Sequence, residues 1–373
     1  MQNHSMPLSR KNFGFILLPA SMIYGLIAGI RNLLFNLKIL KQTQFSLPVI
    51  SIGNITAGGT GKTPHVEYIV KLLIRQYKIA VLSRGYKRKT RDFLLATAHS
   101  KVSEIGDEPK QIRQKFPDIR LAVSRNRVEG IKKLLSLFPD LNAIILDDGF
   151  QHRYVKPGLS ILLIDYHRPL STDHILPFGN LREFKSEIRR AHIVIVTKTP
   201  ENIKPIEKRI FIRDLKLFPY QFLYFTSITY LAPVAVFKKV AKQKIDYENL
   251  KNNHVSILLI TGIANPKPLL DFLKKYSGSI EHMRFPDHHH FLVKDIDEIT
   301  QHFLRLDSKH KIIITTEKDA VRLKEMKGID KKLKQFFYYV PVEVKLNESD
   351  ARQLNRDILD YVGGKKEVNR LHK

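Results

Sequence analysis

The chain contains no cysteine and no tryptophan, and its acidic residues are few compared with its basic ones. Without cysteine, disulfide bonds, thiolate zinc sites and cysteine nucleophiles are excluded. The 373 residues include 63 Lys and Arg against 36 Asp and Glu, which gives a formal net charge of +27. An excess of this size indicates an anionic partner, which leaves nucleic acid, an anionic membrane surface and a phosphorylated substrate open.

Hydrophobic residues are plentiful, since they make up 43% of the chain and include 21 Phe and 14 Tyr. Disorder requires low hydrophobicity together with high net charge, so this composition predicts a folded core. At roughly 150 residues per domain, the length fits two domains or one large one.

Residues 13–30 form a run without a charged side chain, and basic residues flank the run on both sides. The run is at the short end for crossing a hydrocarbon core of about 30 Å. Pro19, Gly25 and Gly29 make it a poor soluble helix but are tolerated in membrane helices. A buried core helix and a secretory signal are the alternatives, although a signal would export the nucleotide-binding motif described below. We expect a membrane anchor over residues 1–40, either spanning the bilayer or lying in its interface.

Downstream of the anchor, short aliphatic runs alternate with helix-like polar segments. This alternation is typical of parallel strands covered on both faces. It predicts an α/β fold with a doubly wound, mostly parallel sheet. The predicted strands are 48–53, 79–85, 119–124, 142–148, 159–165 and 191–198, with a helix over 66–75 after the first of them.

Residues 200–250 interrupt this alternation, and the aromatic and β-branched run at 222–237 predicts a hairpin or ribbon. A second α/β rhythm follows, with strands expected at 256–263 and 311–319. We therefore expect a large P-loop domain over 41–225 and a smaller α/β domain with a basic tail over 226–373.

The most specific motif is GNITAGGTGKTPHVEYIV (53–70), in which a strand runs into a glycine-rich loop that precedes a helix. Glycines let backbone amides approach phosphate oxygens, and the helix N-terminus adds positive potential. Lys62 is expected to contact the β- and γ-phosphates, and the Thr63 hydroxyl is expected to hold Mg²⁺. Thr56 departs from the P-loop pattern, which has glycine at this position. The residues predicted to bind the nucleotide here are Asn54, Thr56, Ala57, Gly58, Gly59, Thr60, Gly61, Lys62 and Thr63.

A P-loop also needs a carboxylate for Mg²⁺ at the end of a nearby strand. The predicted strand 142–148 ends in Asp147 and Asp148, and either residue fits this role. Taken alone, the same residues fit an Asp-Asp-Gly turn equally well.

These motifs leave ATPases, GTPases, transport motors and small-molecule kinases open. Thr197-Lys198 resembles part of the guanine-reading NKxD pattern but lacks its Asn and its final Asp, so we expect no GTP specificity. The sequence has no recognisable nucleic-acid module and no long Lys/Arg block, so nucleic acid is not an expected partner.

Nine segments together point to one family. They are the N-terminal hydrophobic helix, GNITAGGTGKTP (53–64), LSRGYKRK (82–89), GDEP (106–109), LDDGFQH (146–152), LPFGNLRE (176–183), TGIANP (261–266), FPDHHHF (285–291) and TTEKDAVR (315–322). In this order they resemble the tetraacyldisaccharide 4'-kinases, the lipid A 4'-kinases of Gram-negative bacteria. Thr56 is this family's own form of the loop, so the departure supports the resemblance.

The resemblance implies a P-loop NTPase-like fold in which two domains face each other across a cleft. It implies transfer of the γ-phosphate of ATP, with Mg²⁺, to the 4'-hydroxyl of a tetraacylated glucosamine disaccharide 1-phosphate. It also implies an enzyme anchored at the cytoplasmic face of the inner membrane. We expect no obligate protein partner.

By the same resemblance, Asp107 in GDEP is the expected catalytic base, and His288 from the second domain is its partner; Lys62 completes the catalytic set. A carboxylate paired with an imidazole accepts a proton with its orientation fixed. Taken alone, GDEP fits a plain turn. His289 and His290 receive no role, and the absence of a matching carboxylate spacing or cysteine argues against zinc.

The remaining assignments have two interpretations each. Arg84 is expected either to contact phosphate or to form an ion pair. Glu183 is a further candidate ligand of Mg²⁺, or else a residue that pairs at a helix end. Glu108 is expected to assist Asp107 or Mg²⁺, and Lys318 and Asp319 are expected at the domain interface or in a structural role.

Overall fold

The computed structural model describes residues 14–85, 88, 92–241 and 244–364. Its first element is a long helix, α1 (Gly14–Asn36), and the rest of the described chain folds around two sheets and a two-stranded ribbon. The α/β fold predicted from the alternation of aliphatic runs is confirmed.

The large sheet has eight strands in the order β3-β4-β2-β5-β1-β6-β7-β8. All neighbouring pairs are parallel except β3 with β4. Strands β1, β2, β5, β6 and β7 are buried along their whole length, which explains their aliphatic composition. The strands are β1 (Val49–Gly53), β2 (Ile79–Ser83), β3 (Leu94–Leu95), β4 (Arg120–Val123), β5 (Ala143–Asp147), β6 (Leu159–Asp165), β7 (Ile193–Thr197) and β8 (Phe222–Phe225). The connecting helices are α2 (Lys62–Leu73), α3 (Val102–Ile105), α4 (Asp107–Lys115), α5 (Arg127–Leu137) and α6 (Pro205–Leu215), with 3₁₀ turns at Leu170–Thr172 and Lys185–Arg190.

The small sheet has five strands in the order β10-β14-β13-β11-β12, and only β10 runs antiparallel to its neighbour. Its strands are β10 (Val234–Ala235), β11 (Ser256–Thr261), β12 (Ile280–Arg284), β13 (Lys311–Thr316) and β14 (Phe337–Val340). Its helices are α7 (Tyr247–Asn252), α8 (Lys267–Leu273), α9 (Val293–Arg305), α10 (Glu317–Glu325) and α11 (Lys331–Lys334).

Several boundaries differ from the sequence-based ones. Helix α2 spans 62–73 where 66–75 was expected, and β2 ends at Ser83. The strand expected to reach 319 ends at Thr316, because the side chain of this residue accepts a hydrogen bond from the amide of Asp319 and so caps α10.

The sequence suggested that the segment 200–250 interrupts the α/β alternation, but in the structure this segment continues the large sheet. It contributes α6 and then β8, which pairs in parallel with β7. The ribbon is formed by β9 (Ser227–Tyr230) and β15 (Val342–Lys345), which are antiparallel but far apart in sequence, so no hairpin joins them. The residue pattern of 222–237 correctly predicted β-structure, whereas the pairing of β9 with β15 depended on tertiary contacts.

The large sheet ends at Phe225, where the domain boundary was expected, but the chain later returns to it. The last helix, α12 (Glu348–Val362), buries Leu354 and Ile358 in the core of the large sheet. The Tyr361 hydroxyl contacts the backbone amide of Val49 at 3.0 Å. The expected domain 226–373 is therefore not one packed unit, because its last helix belongs to the first core.

Helix α1 lies on the surface with an apolar outer face. Residues Ile16–Asn36 are long and apolar enough to cross a membrane, and only 11% of this apolar stretch is buried, which a core helix would not tolerate. The inner face packs Gly25 and Gly29 against the ring of Phe184. The Ser21 hydroxyl donates to the carbonyl of Ile175 at 2.7 Å.

Candidate active site

The P-loop connects β1 to α2, as the motif predicted. Gly58 and Gly61 have φ values of 98° and 81°, a region that favours glycine. The Lys62 ammonium lies 3.4 Å from the Asn54 amide oxygen and 3.4 Å from the Asp148 carboxylate. Thr63 is the second residue of α2 and is half-buried. The structure thus brings the predicted loop residues to the end of β1.

Asp147 ends β5, the neighbour of β1, and is buried. Its Oδ2 accepts a hydrogen bond from the Ser83 hydroxyl at 2.9 Å, whereas its Oδ1 is buried with no hydrogen-bond partner among the described residues. Burial, with the charges of Glu108 and Asp148, raises the pKa of Asp147 to about 6. An orphaned carboxylate oxygen of this kind fits a hard cation.

Asp148 follows at φ 52° and faces two cations. Its carboxylate lies 3.4 Å from Lys62 and 3.5 Å from Arg182. Burial alone would raise the pKa of Asp148, but these two cations and Arg127 lower it overall. The Oδ1 of each aspartate lacks a hydrogen-bond partner among the described residues, but the two carboxylates differ in that Asp148 is ion-paired with Lys62 and Arg182.

No group of three His, Asp or Glu side chains that could hold a metal occurs within the described ranges. A P-loop magnesium site does not need one, because Mg²⁺ is usually held by one or two carboxylates together with phosphate and water. The pair Asp147 and Asp148, with the Thr63 hydroxyl at the start of α2, fits that donor set.

Asp107 and His288 meet across the two sheets. Asp107 begins α4, and His288 lies in the loop after β12 with φ 60°. The His288 Nδ1 lies 2.9 Å from the Asp107 Oδ2. Burial would raise the pKa of Asp107, but the hydrogen bond from His288 and the charges of Lys318 and Arg322 hold it well below its usual range. The carboxylate is therefore ionised at neutral pH.

Three residues of α10 lie around the Asp107–His288 pair or support it. The Lys318 ammonium lies 3.0 Å from the His288 Nε2 and 3.4 Å from the Glu108 carboxylate. Arg322 contacts Asp107 directly and also binds Asp319 at 2.9 Å. Lys318 thus contacts residues of α4 beside the large sheet, whereas Asp319 contacts Gly262, Thr316 and Arg322 and so fits the structural role.

Arg322 is a residue to which the sequence analysis gave no role. It closes the TTEKDAVR segment, three residues after Asp319, so helical spacing alone places the two on one face of α10. That spacing was a usable signal, but the contact with Asp107 in the other domain was not foreseeable from it.

Glu183 lies in a cluster with arginines. Its Oε1 accepts from Arg31 of α1 at 2.8 Å, and its Oε2 contacts Arg190. Asn32 of α1 is 3.5 Å away. Both oxygens of Glu183 are paired and its side chain is buried, so Glu183 joins α1 to the segment 176–183, and these contacts favour an ion-pairing role over the expected role as a Mg²⁺ ligand.

That segment also contacts the P-loop. The amide of Ala57 donates to the carbonyl of Asn180 at 2.6 Å, and the amide of Arg182 donates to the carbonyl of Ile55 at 2.7 Å. The segment therefore lies between α1 and the nucleotide loop.

Arg84 directly follows β2 and is exposed. Burial, the positive charge of Arg127 and then that of Arg84 lower the pKa of His152 to about 4. The Gln151 amide contacts the carbonyl of Asn54. The His289 Nε2 lies 2.8 Å from the Asp295 carboxylate, so His289 pairs with Asp295 and not with Asp107.

A P-loop at the carboxyl end of β1, two carboxylates at the end of the adjacent strand β5 and a carboxylate–imidazole pair that joins α4 to the loop after β12 together define a P-loop phosphotransferase. A family model described as Tetraacyldisaccharide-1-P 4'-kinase matches residues 13–362. The chain belongs to this family.

Individual relatives agree. The chain is 48% identical over 350 residues to the Tetraacyldisaccharide 4'-kinase of Phocaeicola vulgatus, which covers 93% of this chain and 94% of that protein. It is 47% identical over 329 residues to the protein of the same name from Flavobacterium johnsoniae, covering 88% and 91%. The crystal structure of LpxK from Aquifex aeolicus in complex with ATP superposes with a TM-score of 0.71 at 26% identity, covering 95% of this chain and 99% of that one.

Proposed function

We propose that this protein transfers the γ-phosphate of ATP to the 4'-hydroxyl of tetraacyldisaccharide 1-phosphate, a step of lipid A synthesis. Family membership supports the reaction, and the observation that carries it is the Asp107–His288 pair, 2.9 Å apart, joining the second domain to the P-loop domain. The nucleic-acid and GTP-switch alternatives have no comparable support.

ATP is bound by the P-loop backbone amides, by the N-terminal end of α2 and by Lys62, whose ammonium neutralises charge on the β- and γ-phosphates. Arg84 and Arg182 supply further positive charge beside them. Asp147, Asp148 and the Thr63 hydroxyl would hold Mg²⁺, which would neutralise phosphate charge during transfer. The orphaned Oδ1 of Asp147 supports this assignment.

Asp107 accepts the proton of the 4'-hydroxyl, and His288 fixes the orientation of its carboxylate. A carboxylate held ionised by Arg322 is a weak base. A weak base suffices, because in a loose phosphoryl-transfer transition state the bond to the acceptor forms little before the phosphoryl group has left. The main contribution of the pair is therefore to position the hydroxyl in line.

The substrate is a lipid, and the exposed apolar face of α1 suits a membrane surface. Ile16, Met22, Leu26 and Ile27 on this face are each more than 60% exposed. Together with the net charge of +27, this supports attachment to the cytoplasmic face of the inner membrane, where ATP and anionic lipid headgroups are both available.

The test is transfer of labelled γ-phosphate in a detergent–phospholipid mixture with one of three additions: tetraacyldisaccharide 1-phosphate, RNA or DNA, or nothing. We expect a 4'-phosphorylated lipid only with the first, identified by mass spectrometry and NMR. ATP turnover that nucleic acid stimulates and the lipid does not would refute the proposal.

A further inference from the structure

Two cations bind backbone carbonyls of the P-loop. The Arg168 guanidinium donates to the carbonyl of Ala57 at 2.9 Å and to that of Gly59 at 3.4 Å. The Lys198 ammonium contacts the same Gly59 carbonyl. Neither cation has a role in the reaction described above, and Lys198 belongs to the Thr197-Lys198 pair that does not complete a guanine motif.

A buried carboxylate holds both cations. Asp165 ends β6 and is 4% exposed. Its Oδ2 lies 3.1 Å from Arg168 and 2.8 Å from Lys198. Lys198 directly follows β7, so β6, which neighbours β1, and β7, the next strand beyond it, deliver this group to the loop at their carboxyl ends.

Other side chains bind neighbouring carbonyls of the same loop. Asn54 donates to the carbonyl of Thr56 at 2.7 Å, and Thr197 donates to that of Thr60 at 2.9 Å. Gly58 fits because it has no side chain: a Cβ there would lie 2.7 Å from the Arg168 guanidinium, and its φ is 98°. The loop is therefore built around these contacts.

We propose that Asp165, Arg168 and Lys198 form a carbonyl clamp that orients the P-loop for ATP. In a planar peptide the N–H and C=O point in opposite directions, so holding carbonyls on one side turns amides toward the other, where phosphate binds. The clamp also removes conformational freedom from a glycine-rich loop before ATP arrives. The three are positioning residues, and the inference rests on the proposed use of ATP.

Simple charge attraction gives a different expectation, which makes the clamp testable. Arg168 and Lys198 are cations near a site for a polyanion, and removing either would weaken ATP binding on any account. Asp165→Asn instead raises the local positive charge by one. Charge attraction predicts tighter ATP binding, whereas the clamp predicts weaker binding because its central carboxylate is lost.

Calorimetry measures the affinity of the full-length protein in detergent for a non-hydrolysable ATP analogue with Mg²⁺. Steady-state kinetics measures kcat and the KM values for the nucleotide and for the lipid acceptor. For Asp165→Asn we expect about a tenfold higher Kd and KM for the nucleotide, with the acceptor KM unchanged. The control is Lys185→Ala, which removes an exposed lysine that binds the carbonyl of Ser171 at 2.9 Å, outside the P-loop. The control should leave nucleotide affinity unchanged.

Asp165 is buried, so circular dichroism must show that its variant folds. If it does not, Arg168→Lys carries the test, because Arg168 is 29% exposed and the change keeps the charge while losing the forked contact. The clamp predicts a higher nucleotide Kd for this variant, and charge attraction predicts no change.

Unchanged or tighter nucleotide binding in the folded Asp165→Asn variant, or in Arg168→Lys, would overturn the clamp. A fall in kcat with unchanged nucleotide Kd would also overturn it, because that pattern indicates direct contact with the transition state. The clamp is judged on nucleotide affinity and the proposed function on phosphate transfer to lipid, so the two can fail separately.

Discussion

At the scale of single residues, Lys62 is the side chain expected to contact the phosphates. Lys62→Ala should abolish measurable transfer, because nothing else in the loop replaces an ammonium aimed at the β- and γ-phosphates. The assay is transfer of labelled phosphate to the lipid acceptor. Lys71→Ala is the matched control, since Lys71 lies on the same helix but pairs on the surface with Glu343 at 2.9 Å. Near-normal activity of Lys62→Ala would refute the loop assignment.

Asp107 and two adjacent histidines give a second test at this scale. Asp107→Ala should lower kcat by about 10²-fold or more while ATP still binds, because base and positioning are lost but the P-loop is intact. His288→Ala should also lower kcat, whereas His289→Asn should not, since His289 contacts Asp295 instead. Steady-state kinetics with both substrates checks this. An unchanged kcat for Asp107→Ala would remove it as the base.

Substitution of Glu183 distinguishes a structural role of this residue from a role as a metal ligand. Glu183→Gln leaves Arg31 without a carboxylate partner and Arg190 with Glu187 alone, which should cost about 1–3 kcal/mol of stability. The Mg²⁺ concentration for half-maximal activity should stay the same, because both Glu183 oxygens are bound to arginines. Thermal unfolding and a Mg²⁺ titration measure the two effects. A raised Mg²⁺ requirement with unchanged stability would restore Glu183 as a metal ligand.

At the scale of elements, α1 is the piece whose removal is most informative. Deleting residues 1–35 removes the exposed apolar face, so the protein should leave the membrane fraction in cell fractionation. If the truncated protein stays bound equally well, the basic surface is the anchor. Since Arg31 and Asn32 also contact Glu183, the truncation should lower stability as well.

The C-terminal elements show a similar dependence on distant partners. Helix α12 completes the core of the large sheet, and β15 pairs with β9 more than a hundred residues away in sequence. The chain therefore passes from the large sheet to the small sheet after β8 and returns to the core of the large sheet at α12.

At the scale of the whole molecule, a neutral histidine inside the fold contributes to the loss of stability at acid pH. Burial lowers the pKa of His192 from 6.5 to about 4, and its Nδ1 accepts a hydrogen bond from the amide of Ser160. Between these pH values the unfolded chain binds a proton that the folded protein does not. Stability is therefore complete above pH 6.5 and falls toward pH 4, by up to about 1.4 kcal/mol per pH unit for each such histidine.

The same linkage gives a measurement. His192→Asn keeps an acceptor for Ser160 but does not titrate, so its unfolding free energy should fall less steeply between pH 6.5 and 4 than that of the parent. Urea unfolding at several pH values gives both slopes, and the exposed His99→Asn variant is the control. Parallel slopes for His192→Asn and the parent would contradict the prediction.

The net charge of +27 also belongs to this scale. It pointed to nucleic acid as readily as to a membrane when taken alone. With a P-loop, a one-sided apolar helix and family membership beside it, we propose ATP, a phosphorylated glycolipid and an acidic leaflet as the anionic partners.

The sequence by itself determined the local features: the aliphatic strands, the P-loop between strand and helix, the Asp147-Asp148 strand end and the apolar α1. Each follows from spacing and residue type within about twenty residues, where steric and hydrophobic preferences act directly. Only the tertiary structure decided that Arg322 binds Asp107, that Glu183 binds α1 and not the metal pair, that α12 returns to the first core and that Arg168 and Lys198 bind the P-loop. Those contacts join residues whose proximity depends on how whole sheets pack, and no local preference encodes which distant charge a buried carboxylate will meet.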